Sequence, residues 1–171
     1  VTVVPALDPE RAAEVRSLVT MMDGVLESVV QSYAQSGVGL PERQYWTLGT
    51  PAADCEQLVV SFNQAYLGPP GDEAQTPQRC NGPRSASLTV QVIRCVPTVS
   101  VRGNRPPTAE QIQASSEALA VDAWLLLDMA GSLDQWDPAG GFGLGVIATV
   151  DAGDATGGFQ AVTLTLNAAI P

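Results

Sequence analysis

The chain has 171 residues, 45% of them apolar, and a formal net charge of −10. That size suits one domain with a sizeable core, and the apolar share excludes disorder as a global state. The acid excess argues against a free nucleic-acid binder, and the absence of His removes the commonest general base and the commonest metal ligand.

Every cation is Arg. Lysine codons are AT-rich, whereas those of Ala, Gly, Pro, Val and Arg are GC-rich, so a high-GC genome is expected, such as that of an actinobacterium or one of its phages. No apolar run approaches the ~20 residues that span a bilayer, and the N-terminus has no signal-peptide pattern. The chain opens on Val1, which either removal of an initiator Met or trimming of a longer precursor would explain.

VTVV begins a short extended arm, 1–7. Asp8 and Pro9 then read as N-cap and first position of a helix, with Glu10 near its positive end. Val15, Leu18, Val19, Met22, Val25, Leu26, Val29, Val30 and Tyr33 follow helical spacing to a stop at Gly37 and Gly39. Tyr45 to Leu48 is a brief strand. Cys55 to Tyr66 and Ser87 to Val96 alternate with period two and are expected to pair as an antiparallel hairpin. That pairing brings Cys55 close to Cys95. The connection, 67–85, is rich in Pro and Gly and longer than usual, which marks functional or mobile loops.

Thr108 to Gly131 is the clearest helix. Thr108 and Gln111 form a capping box after Pro106 and Pro107. Ile112, Ser115, Leu119, Ala123, Leu126 and Ala130 recur at helical spacing, and Val121, Trp124 and Leu125 widen the apolar face to a second side. Both sides need cover, for which the neighbouring strands are the expected source. Gly131 should supply a left-handed stop. Phe142 to Val150 alternates as a strand, DAGDATGG (151–158) is a hairpin loop, and Phe159 to Ile170 closes the chain. The order α-β-β-α-β-β predicts an α+β domain over 1–171, with an antiparallel or mixed sheet of four to five strands and two long helices.

Catalytic motifs are missing. GGFGLG opens a strand, not a helix, so it is no dinucleotide loop. Asp151 and Asp154 lack the EF-hand spacing and its closing Glu, so a plain turn is favoured over a calcium site. No G-x-S-x-G is present, and no His-based triad can form. Asp134 and Asp137 flank Trp136 but form only a weak sugar-site pattern. With Cys55, Cys80 and Cys95 unable to pair completely and no C-x-x-C, reduced thiols are favoured over a zinc site, and one bridge remains open. No enzymatic activity, cofactor or metal is expected.

Charge is segregated. Between Ala74 and Ala109 lie Arg79, Arg84, Arg94, Arg102 and Arg105 with no acid; from Glu110 onward lie eight acids with no base. Two different faces of one subunit are implied.

The first helix, DCEQLVVSFNQAYLGPPG, CNGPRSASLTVQVIRCVP, the helix with VDAWLLLDM and the closing VTLTLNAAI together resemble the tail terminator proteins of long-tailed phages of mycobacteria and related hosts. The resemblance covers most of the chain but offers no short signature for residue-by-residue transfer. It implies a hexameric ring of this chain at the head-proximal end of the tail tube, which stops tube growth and presents a docking surface for the neck. The implied partners are further copies of itself, the major tail tube protein and a head-completion or neck protein. DNA would pass the lumen without specific binding, and no membrane is involved. The implied location is the virion, with assembly in the host cytoplasm. Arg79, Arg84, Arg102 and Arg105 are candidate subunit contacts, with Asp134, Asp137, Asp151 and Asp154 as candidate partners on the neighbour. Another neck or tail ring, or a small ligand-binding module or enzyme, are the alternatives.

Overall fold

The computed structural model describes residues 8–52, 54–70, 84–99, 105–133, 147–154 and 158–170. The arm, most of the 67–85 connection and residues 134–146 lie outside them, as do Cys80 and the GGFGLG stretch.

Helix α1 spans Pro9–Ser36. Its first helical bond runs from Ala12 N to the Asp8 carbonyl. Met22, Val25, Val29 and Tyr33 are fully buried, whereas Val15, expected on the same stripe, is exposed. Gly37 at φ +71° takes the left-handed position that ends the helix.

Strand β1 (Arg43–Leu48) begins earlier than its sequence pattern suggests and pairs parallel with β2 (Gln57–Leu67). A parallel pair requires the chain to return along the sheet. Here the 49–56 connection makes the return without a helix, and Gln57 Nε2 secures it by donating to the Ala52 carbonyl at 2.9 Å. Strands β2 and β3 (Arg84–Cys95) form the expected antiparallel pair, with a bulge at Asn63.

Helix α2 runs Ala109–Leu133. The capping box is formed: Thr108 N donates to Gln111 Oε1 at 3.0 Å, and Gln111 N donates to Thr108 Oγ1 at 3.3 Å. Gly131 does not stop the helix. It keeps a helical backbone, and Leu133 beyond it is buried in the core, so the packing of the last turn carries the helix past the glycine. Strands β4 (Ile147–Ala152) and β5 (Phe159–Ile170) form an antiparallel hairpin.

Two helices and a five-stranded mixed sheet make an α+β fold, with strand order β1-β2-β3-β5-β4. Leu58 and Val60 of β2, Leu88, Val90 and Val92 of β3, and Val162, Leu164 and Leu166 of β5 share one face and one apolar cluster with both helices. On that face α1 lies over β1 and β2, and α2 lies over β4 and β5. Each fully buried Leu or Val contributes about 1.5–3 kcal/mol. Both helices use the same sheet face, and among the described residues the outward side of α2 stays exposed at Val121, Trp124 and Leu127. Leu125 is buried, but Val121 and Trp124 are not, contrary to the two-sided cover expected from the sequence.

Candidate functional site

The alternation that buries Leu88, Val90 and Val92 continues to Arg94, which puts a guanidinium at the end of the core face. It meets Asp122, a fully buried carboxylate on the inner side of α2. Arg94 Nε donates to Asp122 Oδ2 and Nη2 donates to Oδ1, both at 2.9 Å. The Tyr33 hydroxyl of α1 donates to the same Oδ1 at 2.6 Å. The remaining Arg94 donors reach Glu56 Oε2 at 3.1 Å and the Gly39 carbonyl at 2.9 Å. A carboxylate removed from water requires such pairing, and a bidentate arginine satisfies it with two parallel bonds. The Tyr33 hydroxyl is held well above the ordinary phenol value, first by burial and then by its bond to Asp122. Arg94 is held more firmly protonated, chiefly by its bonds to Asp122.

Glu56 has φ +54°, a left-handed backbone that side chains with a Cβ rarely adopt. Three bonds hold it there: Cys95 N donates to its Oε1 at 3.3 Å, Arg94 pairs with its Oε2, and its carbonyl accepts Arg43 N at 3.2 Å. Beside it lies a cleft of about 620 Å³, lined by Glu56, Arg94, Cys95 and Val96 on one side and Ala114 and Ala118 of α2 on the other. Cys55 and Cys95 are free thiols at this end of the sheet, as the expected hairpin requires.

Of the contact residues expected from the sequence, Arg79, Arg102, Asp134 and Asp137 lie outside the described residues. Arg84 starts β3 and forms an ion pair with Glu14 of α1 in the same subunit. Arg105, just before α2, and Asp151 and Asp154, at and after the end of β4, are exposed. Arg84 stands at the opposite end of β3 from Cys95. The charge segregation is also partly spent inside the subunit, because Arg94 of the basic segment pairs with Asp122 of the acidic one.

The outward side of α2 presents Val121, Trp124 and Leu127, with Trp124 70% exposed. A shallow depression of about 430 Å³ runs along Trp124, Leu127, Asp128 and Ser132. Among the described residues no group of three or more Cys, Asp or Glu is arranged to hold a metal ion, and no helix is long and apolar enough to cross a membrane. The sequence matches no protein-family model and no curated relative.

The Tyr33–Asp122–Arg94–Glu56 cluster was missed by sequence reasoning, although a signal was present. Tyr33 is in phase with Met22, Val25 and Val29. Asp122 is in phase with Leu119, Leu126 and Met129. Arg94 is in phase with Val90 and Val92. A charged residue that falls on each of two apolar faces calls for a buried partner.

Proposed function

We propose that this chain is a structural subunit of a phage tail, a tail terminator that closes into a ring of six at the head-proximal end of the tube and offers its outer surface to the neck. Besides the resemblance of its sequence, the reading rests on one structural observation: the exposed ridge of Val121, Trp124 and Leu127 on the outward side of a helix whose inner side enters the core. An apolar patch of this kind, rimmed by polar residues, marks an interaction surface. A ring requires that one face of a subunit meet a different face of the next, and the ridge on α2 is well separated from the β1 edge of the sheet, where Leu48 is also exposed. The acid excess suits a lumen through which DNA slides, because like charge keeps phosphate from adhering.

Gold-labelled antibody against this chain, viewed on purified tails by electron microscopy, tests the proposal. Label confined to the head-proximal tip is expected. Label along the whole tube would make the chain a tube subunit, and label within the head would overturn a tail role. The cleft beside Arg94 favours a second reading, a small ligand-binding module; that reading predicts a monomer with no affinity for tails.

A further inference from the structure

The register of the β2–β3 pair runs Gln57 opposite Ile93 and Leu58 opposite Val92. Continued past the last ladder pair, it sets Glu56 opposite Arg94 and Cys55 opposite Cys95. A disulfide bridges Cα atoms about 4.4–6.8 Å apart, a span within reach of two residues that meet at the same end of a hairpin. The Cys95 thiol is pushed up to about 11, first by hydrogen bonding with the neighbouring Cys55 side chain and then by burial. Cys55 Sγ also lies 3.7 Å from the Gly158 carbonyl, the same carbonyl that accepts Val96 N, next to Cys95, at 2.9 Å. Both cysteines are reduced; Cys95 is exposed and Cys55 half-buried, so a small oxidant can reach the pair from the cleft side.

The β2–β3 ladder has ended before the pair, although Cys95 itself pairs with Phe159 of β5. Cys95 N donates to a Glu56 side-chain oxygen, and the Cys55 carbonyl accepts Arg43 Nη2 at 2.8 Å. Neither cysteine therefore uses these groups to hold the other, and an S–S bond would add a covalent link where the β2–β3 ladder has ended.

We propose that Cys55 and Cys95 are a dithiol modification site that closes to an intramolecular disulfide in exchange with a low-molecular-weight disulfide of the glutathione class. One cysteine thiolate attacks a sulfur of oxidised glutathione and releases one glutathione thiol, leaving a mixed disulfide. The second cysteine loses its proton, attacks the protein sulfur of that mixed disulfide and releases the second glutathione. The protein thus gives up two protons and two electrons, and one S–S bond breaks as another forms. The new bond joins the start of β2 to the end of β3 beside Glu56 and Arg94, which stabilises the fold by constraining the unfolded chain between them.

The Cys80→Ser variant leaves this pair as the only thiols. It is equilibrated with reduced and oxidised glutathione at graded ratios, acid-quenched, alkylated and weighed by mass spectrometry. Both thiols should disappear together, with no glutathione mass retained, no covalent dimer, and a higher unfolding temperature for the oxidised form. The Cys55→Ser/Cys80→Ser variant should instead retain one glutathione on Cys95. Persistent glutathione adducts on the Cys80→Ser protein, disulfide-linked dimers, or two thiols still alkylated at the most oxidising ratio would each overturn the proposal. These readouts do not depend on the tail assignment.

Discussion

Asp122 is fully buried, and among the described residues its charge is supported by Arg94 and Tyr33. Tyr33 contributes a hydrogen bond to a charged acceptor, worth about 1.5–3 kcal/mol. Its folded state favours the neutral phenol, because burial and the neighbouring carboxylate both oppose ionisation. The sign of the linkage follows. Below the ordinary phenol value of about 10, both folded and unfolded chains hold this proton, and the contribution is complete. Above it, the unfolded chain ionises first, so stability attributable to Tyr33 falls as pH rises. Tyr33→Phe is expected to lower the urea midpoint at pH 7, and its deficit relative to the parent should shrink as the pH is raised above about 10. A deficit unchanged across that range would show that the hydroxyl is not the linked group. Asp54, by contrast, is fully exposed; Arg43 and the Cys55 amide hold its carboxyl below the usual value, but water screens the pair, and little stability rests on it.

At the scale of the element, α2 shows which local signals are decisive. Its start is set by the reciprocal bonds of Thr108 and Gln111, which satisfy two otherwise open amides. Thr108→Ala should cost about 1 kcal/mol in urea unfolding, whereas Thr108→Ser should keep most of that stability. An equal loss in both variants would assign the effect to packing and not to the cap. Its end is different in kind. Gly131 is a helix-stop signal, yet the helix continues, because Leu133 is buried and Met129, Ala130 and Leu133 pack together in the core. A glycine permits a left-handed turn; it does not compel one when burial of the next turn favours the helix.

For the molecule as a whole, the decisive asymmetry is that both helices lie on one face of the sheet. This leaves α2 with an apolar outer ridge centred on Trp124. Trp124→Glu should leave monomer stability within about ±0.5 kcal/mol, as is usual for a surface change. Under the ring proposal, the same variant should fail to sediment as the oligomer formed by the parent and should not decorate tails. Normal assembly of the variant would remove the ridge from the interface. Exposed ion pairs, each worth about 0–1 kcal/mol, would then add register to such a contact, while apolar burial supplies the affinity.

The sequence by itself determined the kinds of element and most of their order. The 3.6-residue spacing of Met22, Val25, Val29 and Tyr33, the two-residue spacing of Val162, Leu164 and Leu166, and the Thr108 cap are local patterns, and local sterics and hydrogen bonding read them directly. The approach of Cys55 to Cys95 was legible for the same reason, since it follows from a hairpin between two strands adjacent in the chain. Three features were decided only by the tertiary structure: the parallel placement of β1, the exposed outward side of α2, and the pairing of Arg94 with Asp122 and Tyr33. Each depends on which distant segments share a sheet edge or a face. Tyr33 and Asp122 are 89 positions apart in the chain, and Asp122 and Arg94 are 28 apart. Local pattern places each of these residues on an inner face, but only the register and the stacking of both helices on one side of the sheet bring them within hydrogen-bonding distance.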